Sequence, residues 1–423
     1  MDTNTILTSY FSIFAIYFIV SGGLTWLNIQ RSKSSRGSAP SYFRDWITDD
    51  KFNRSIDYTL EKQYLGFTQS FISSCILIIC ILSGFFGYAD NLVSSITSNK
   101  YIAGCIYIFA LSFVSSILSL PFSYYSQFSI EERYGFNKMT PSLWITDLFK
   151  STLLQLVIGL PILFGLFYLI DSLGEFWWLY AFLFISGIQL LLMFIYPVFI
   201  APIFNKFSPL DEGDLKKDIF ELADQSGFKT NGIFLMDGSK RSSHGNAYFT
   251  GFGGNKRIVL FDTLLETLEN NEVLAVLAHE IGHEKKWHIK KSLVLSLFML
   301  LLTFWLLSFL IDYKPLFLAF GFTNTSYHGA LLLFGFLSEP IMYFISPLFS
   351  MLSRKFEFEA DRFAVDLVKG AKSLQTALLR LSTENLSNLV PHPWYSFFHY
   401  SHPTLSERLE AMGSYAESKN LST

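Results

Sequence analysis

Charge is what this 423-residue chain has least of. Asp, Glu, Lys and Arg together make up 16% of it, against about 25% in a soluble domain. That deficit, with 51% hydrophobic residues and 45 Phe, excludes a disordered chain and an ordinary cytosolic enzyme. It points to a polytopic membrane protein. Cysteine is scarce as well. Cys75, Cys80 and Cys105 lie in apolar runs and none forms a CxxC pair, so a disulfide framework and a thiolate metal site are excluded. Small apolar packing residues are the reading that remains for them. The formal net charge is −3; without a basic footprint, no nucleic-acid partner is expected. No repeat of 20–50 residues is visible either.

What is present in abundance is apolar sequence. Seven stretches are long enough to cross a bilayer, near 5–28, 66–88, 101–126, 151–171, 176–204, 287–312 and 327–353; about 20 residues suffice. Pro121, Pro161, Pro197, Pro202, Pro340 and Pro347 fall inside them, which membrane helices tolerate. The first stretch has no Lys or Arg before it and no cleavage site after it, so it is expected to be retained rather than removed as a signal peptide. Loops 29–65 and 127–150 carry Arg31, Lys33, Arg36, Arg44, Lys51, Arg54, Lys62, Arg133, Lys138 and Lys150. The alternate loops carry only Lys100 and Lys314. Positive charge stays inside, so the N-terminus is expected outside and the C-terminus in the cytosol.

Two polar segments, 205–286 and 354–423, fall on the cytosolic side. In the first, Asp214 to Ser226 reads as an amphipathic helix with Ile219, Phe220 and Leu222 inward. Residues 232–236, 247–250 and 257–261 read as strands, with Gly251, Gly253, Gly254 and Asn255 turning between the last two. The expected organisation is a five-span membrane domain, 1–204, followed by a unit over 205–423 with a small sheet, two further spans and a helical C-terminal segment.

A helix expected from about Asn271 contains His279-Glu280-Ile281-Gly282-His283, an H-E-x-x-H pattern. Four residues at about 100° each bring the two imidazoles within roughly 40° of one another, one turn apart. Two nitrogens so placed suit tetrahedral Zn²⁺, and Glu280, beside a ligand, can take the proton of an attacking water. Chance produces this pattern in roughly one such chain in a hundred. Two surface histidines with an ordinary glutamate is the plainer reading, and the apolar run before the motif argues against it. A catalytic zinc takes three protein ligands. None of His244, His288, His328, His392, His399 and His402 stands at the H-x-x-G-x-x-H spacing, so a third histidine close behind the motif is excluded. Glu357 and Asp361 are four apart on one helix face; one of them is the candidate third ligand and the other a partner for a ligand histidine or for the reaction. Glu359 points about 200° from Glu357 and is expected to face solvent.

The chain resembles the type I CAAX prenyl endopeptidases. The residues that carry the resemblance are His279 to His283, Glu357-Phe358-Glu359-Ala360-Asp361, Gly245-Asn246-Ala247-Tyr248-Phe249, His402-Pro403-Thr404-Leu405-Ser406-Glu407-Arg408 and Glu131-Glu132-Arg133-Tyr134-Gly135-Phe136-Asn137, in the family's order. The resemblance implies an all-α membrane protein with seven transmembrane helices around a water-filled chamber, plus a small α+β cytosolic metallopeptidase unit. It implies one zinc per chain held by His279, His283 and Glu357, with Asp361 as a supporting or proton-donating acid. Asn246, Ala247, Tyr248 and Phe249 would pair with an extended substrate, and His402 and Arg408 would stabilise the oxyanion or hold the substrate. Gln155, Gln189 and Glu339 would line the chamber or pack between helices.

The expected activity is therefore zinc-dependent endoproteolysis at the membrane, on a peptide or protein that is lipidated or membrane-embedded. Compact loops and an ending, Lys419-Asn420-Leu421-Ser422-Thr423, that is no ER-retrieval signal suggest a bacterial member in the inner membrane, or the ER membrane if eukaryotic. Membrane-protein quality control is the alternative job for the same protease. A transporter or channel with a cytosolic regulatory domain is the alternative of another class, and it leaves the ordered histidine and carboxylate constellation without a purpose.

Overall fold

The computed structural model describes residues 2–251 and 256–422; the expected turn at Gly253, Gly254 and Asn255 lies outside them. Among the described residues, seven helices are long and apolar enough to cross a membrane: Thr3–Ser34, Asp49–Leu82, Lys100–Tyr134, Pro141–Ser172, Gly174–Phe204, His288–Leu310 and Tyr327–Val368. Their starts follow from local chemistry. Thr48, Asn99, Thr140 and Ser326 each accept a backbone N–H of the first turn, and Pro141 at the first helical position loses no bond that the helix needs.

The second span differs from its expected bounds. The apolar run 66–88 is broken at Gly84, in the left-handed region with φ 68°, and Phe85–Ile96 is a separate short helix. Continuous hydrophobicity hid a change of direction that only the glycine marked. Among the prolines, Pro121 sits in the last turns of Lys100–Tyr125, which passes into a π-helical turn at Ser126–Glu131. Tyr327–Val368 is one 42-residue helix, about 63 Å long at 1.5 Å per residue. That is twice a bilayer's hydrocarbon thickness, so the helix carries its C-terminal turns well beyond the apolar layer.

A four-stranded sheet lies in the second half, ordered β1-β2-β4-β3: β1 is Phe207–Pro209, β2 Ile233–Met236, β3 Ala247–Thr250 and β4 Arg257–Phe261. β2 and β4 are parallel with Ile233 opposite Ile258; β3 runs antiparallel to β4 with Ala247 opposite Leu260. Strand β1 went unanticipated, being three residues long and pairing through β2. The helix Asp214–Gln225 buries Ile219, Leu222 and Ala223. Phe220, expected inward, is exposed; the buried stripe follows i, i+3, i+4, and Phe220 stands about 100° off it.

Packing concentrates at two ends. One core joins Ile219, Leu222, Ile258, Leu260, Val273, Leu277 and Ala364 around the sheet. The other joins Tyr10, Tyr107, Phe167, Phe317, Phe320 and Leu333. Between them the apolar windows of the seven helices are only 6–22% buried by protein, as befits helices whose outer faces meet lipid.

Candidate active site

The histidine motif stands on the helix Asn270–Lys285, which starts at a reciprocal cap between Glu269 and Glu272. It ends where Trp287 takes φ 63°, and a new helix begins at His288. His279 and His283 point the same way, with Nε2 atoms 3.1 Å apart.

The long helix Tyr327–Val368 crosses this one at Gly282. A Cβ there would lie 3.0 Å from Ala360 Cα and 3.1 Å from the Ala360 carbonyl oxygen, so the glycine inside the motif and the alanine between Glu357 and Asp361 set how closely the backbones approach. Because the contact is that close, Glu357 and Asp361 reach the imidazoles. Glu357 Oε2 is 3.4 Å from His279 Nε2, and Glu357 Oε1 is 3.3 Å from His283 Nε2. One ligand atom from each of these three side chains falls within 4.8 Å of the others.

This donor set fits a metal ion on its own terms. Two imidazole nitrogens and a carboxylate converge on one point, and Glu357 Oε2 is buried with no hydrogen-bond partner among the described residues. A buried carboxylate is costly unless something cationic meets it; Arg408 Nη1 lies 3.6 Å from Glu357 Oε2, and a metal ion between the imidazoles would add to what that guanidinium supplies. Behind the convergence, Asp361 Oδ1 lies 2.8 Å from His279 Nδ1. Arg408 donates to both oxygens of Asp361, at 2.9 and 2.6 Å. Arg408 and Asp361 are both buried, and the guanidinium also reaches Glu357 Oε2, 3.6 Å from Nη1, which favours bracing the cluster over contact with a substrate. His402 stands on the open side, its ring exposed and its Nε2 3.4 Å from Glu357 Oε1. Glu280 is half-buried; burial lifts its carboxyl above the ordinary range, against the pull of the neighbouring imidazoles.

Glu359 corrects an expectation. It does diverge from Glu357, as helical geometry requires, but it does not simply face solvent. It is 29% exposed, and its Oε2 meets His288 Nε2 at 3.0 Å. The start of the next membrane helix covers that face, which no reading of one helix anticipates.

The segment from Asn246 to Phe249 forms the entrance and body of β3, the outer strand beside β4. The Asn246 carbonyl accepts from Phe261 N–H. A cavity of about 800 Å³ opens beside it, lined by Gln189, Met193, Tyr196, Phe249, Thr250 and Lys256 among others. Gln189 both lines this cavity and donates to Ser296, whereas Gln155 and Glu339 are exposed.

Comparison with known proteins agrees with this architecture along its length. Residues 28–206 match the family described as CAAX prenyl protease N-terminal, five membrane helices, and residues 209–416 match peptidase family M48. The chain is 39% identical to CAAX prenyl protease 1 homolog of Arabidopsis thaliana, over 86% of this chain and 88% of that protein. It is 38% identical to CAAX prenyl protease 1 of Saccharomyces cerevisiae, over 92% of each. The crystal structure of S. mikatae Ste24p superposes with a TM-score of 0.91 at 35% identity, covering 97% of this chain and 99% of that one.

Proposed function

Because this chain belongs to the CAAX prenyl protease family of M48 peptidases, an integral-membrane metallopeptidase acting like its relatives, we propose that its metal is a single zinc ion and that His279, His283 and Glu357 hold it. The observation that carries this reading is the convergence of those three donors, one ligand atom from each lying within 4.8 Å of the others. When bound, the ion supplies the Lewis acidity that makes water a nucleophile at neutral pH.

The chain's own residues do the rest. Glu280 takes the proton of the attacking water and returns it to the leaving nitrogen, a task suited to a carboxyl that burial raises above its ordinary range. Asp361 fixes the tautomer of His279 through Nδ1, and Arg408 holds Asp361 in place. His402, on the open side, faces the developing oxyanion. β3, whose outer edge pairs with no strand among the described residues, offers that edge to an extended substrate from Asn246 to Phe249, so that backbone bonds align the scissile peptide. A chamber between the spans, with Gln189 in the wall of the cavity beside β3, belongs to the same reading, and the lysine and arginine bias of the loops supports a cytosolic site with the N-terminus outside. The division into a five-span unit, 1–204, and a peptidase unit, 205–423, belongs to the same proposal.

The proposed substrate is a C-terminally prenylated peptide, since the relatives are named for that chemistry and an apolar cavity adjoins β3. Cleavage of such a peptide by the purified protein should exceed cleavage of the same peptide without its lipid. Equal rates for the two would reject a lipid-directed specificity. Trapping of damaged membrane proteins by Glu280→Gln in cells would then favour quality control.

A further inference from the structure

Each imidazole of the proposed ligand pair has a second nitrogen, and the two are held differently. His279 Nδ1 meets a carboxylate directly, at Asp361. His283 Nδ1 meets another imidazole, His288 Nδ1, at 3.1 Å, and His288 Nε2 meets Glu359 Oε2 at 3.0 Å. We propose that His288 and Glu359 are positioning residues for His283, a carboxylate acting on the ligand through an intervening imidazole. The proposal rests on the reading of His283 as a metal ligand.

One placement of protons satisfies the whole chain. A carboxylate only accepts, so His288 Nε2 carries a hydrogen and donates it to Glu359. His288 Nδ1 is then the acceptor. His283 Nδ1 must carry the hydrogen that fills it, which leaves the His283 Nε2 lone pair facing His279 and Glu357, where the proposed zinc would be held. The reverse placement would aim an N–H of His283 at the cation. His288 is also mechanically fixed. It is buried, and its ring stacks on Phe356 with centroids 4.2 Å apart and planes within 10°. Phe356 is the residue before Glu357, so the same turn of the long helix that presents the carboxylate ligand also clamps the imidazole behind His283. The five-residue step from His283 to His288 spans the break at Trp287, which turns the second ring back toward the first.

The test is zinc affinity of the purified full-length protein in detergent, measured by competition with a chromophoric chelator, with melting of the metal-free form as the control for folding. His288→Phe keeps a ring to stack on Phe356 and removes both nitrogens; affinity should fall about 10–100-fold. His288→Asn sacrifices the stacking but returns an oxygen acceptor toward His283, and it should recover part of that loss. Glu359→Ala should bind more weakly than Glu359→Gln, whose amide oxygen still accepts from His288. A packing role predicts the opposite order, with Phe tolerated and Asn damaging. The proposal is overturned if His288→Phe binds zinc within about twofold of the parent, well short of the expected loss, or if His288→Asn is the weaker of the two. Should His288→Phe fail to fold, equal affinities for Glu359→Ala and Glu359→Gln overturn it. A parent protein that binds no zinc would instead remove the ligand reading beneath it.

Discussion

The long helix Tyr327–Val368 carries two buried meetings of histidine and carboxylate, one near each end. At its start, His328 pairs with Asp90 of the short helix Phe85–Ile96. Near its other end, Glu357 and Asp361 meet His279 and His283. From position 328 to position 357 is about 44 Å of helix, so the two pairings sit at opposite ends of the bundle. The first is closed: both side chains are buried, and the His328 ring packs on Tyr107 and Phe167. Close by, Asp171 is met by Lys100, Tyr101 and Tyr327. The second pairing brings two imidazole nitrogens and a carboxylate oxygen within 4.8 Å of one another, beside the exposed ring of His402. Burial and pairing alone thus do not mark a site; the convergence of several metal-ligating atoms on one point does.

Breaking each end should give opposite signatures. The largest effect is expected at the open end, where His279→Ala should abolish peptidase activity while the protein remains folded. Glu280→Gln comes next: turnover should fall by at least the roughly 10²–10⁴-fold of a lost general base. Gly282→Val should rank third. Its side chain has to push the Ala360 backbone away, and a shift near 1 Å in a catalytic group costs about 10²-fold in kcat/KM. At the closed end, His328→Phe leaves Asp90 buried and unpaired, which destabilises by about 3–5 kcal/mol. That should appear as a lower melting temperature, with kcat per folded molecule nearly unchanged; a kcat loss as deep as that of Glu280→Gln would erase the distinction between the two ends.

The smallest perturbation assigns the ends to sides of the membrane. Cysteines placed at Ser95 and Ser172, near the closed end, should label from outside intact cells, and one at Ser35 only after permeabilisation. The reverse pattern would put the open end outside the cell.

How much of this was legible in the sequence depends on how local each relation is. His279 with His283, and Glu357 with Asp361, are spaced by one turn of a single helix, so periodicity places each pair on a face. The role of Gly282 is not legible, because it depends on which helix crosses there. Nor is the contact between His283 and His288, which depends on a left-handed residue at Trp287, a type that seldom adopts it. Glu359 was misread for the same reason: a helical wheel gives its direction but not the neighbour, His288, that lies in that direction. Gly84 broke an apolar run whose hydropathy carries no sign of a break.

The most direct test of the account is the metal content of three purified proteins, measured by elemental mass spectrometry. The parent and Glu280→Gln should each hold about one zinc per chain, because Glu280 is a base and not a ligand. Glu357→Ala should hold little or none. Zinc retained by Glu357→Ala and lost by Glu280→Gln would contradict the assignment of both carboxylates.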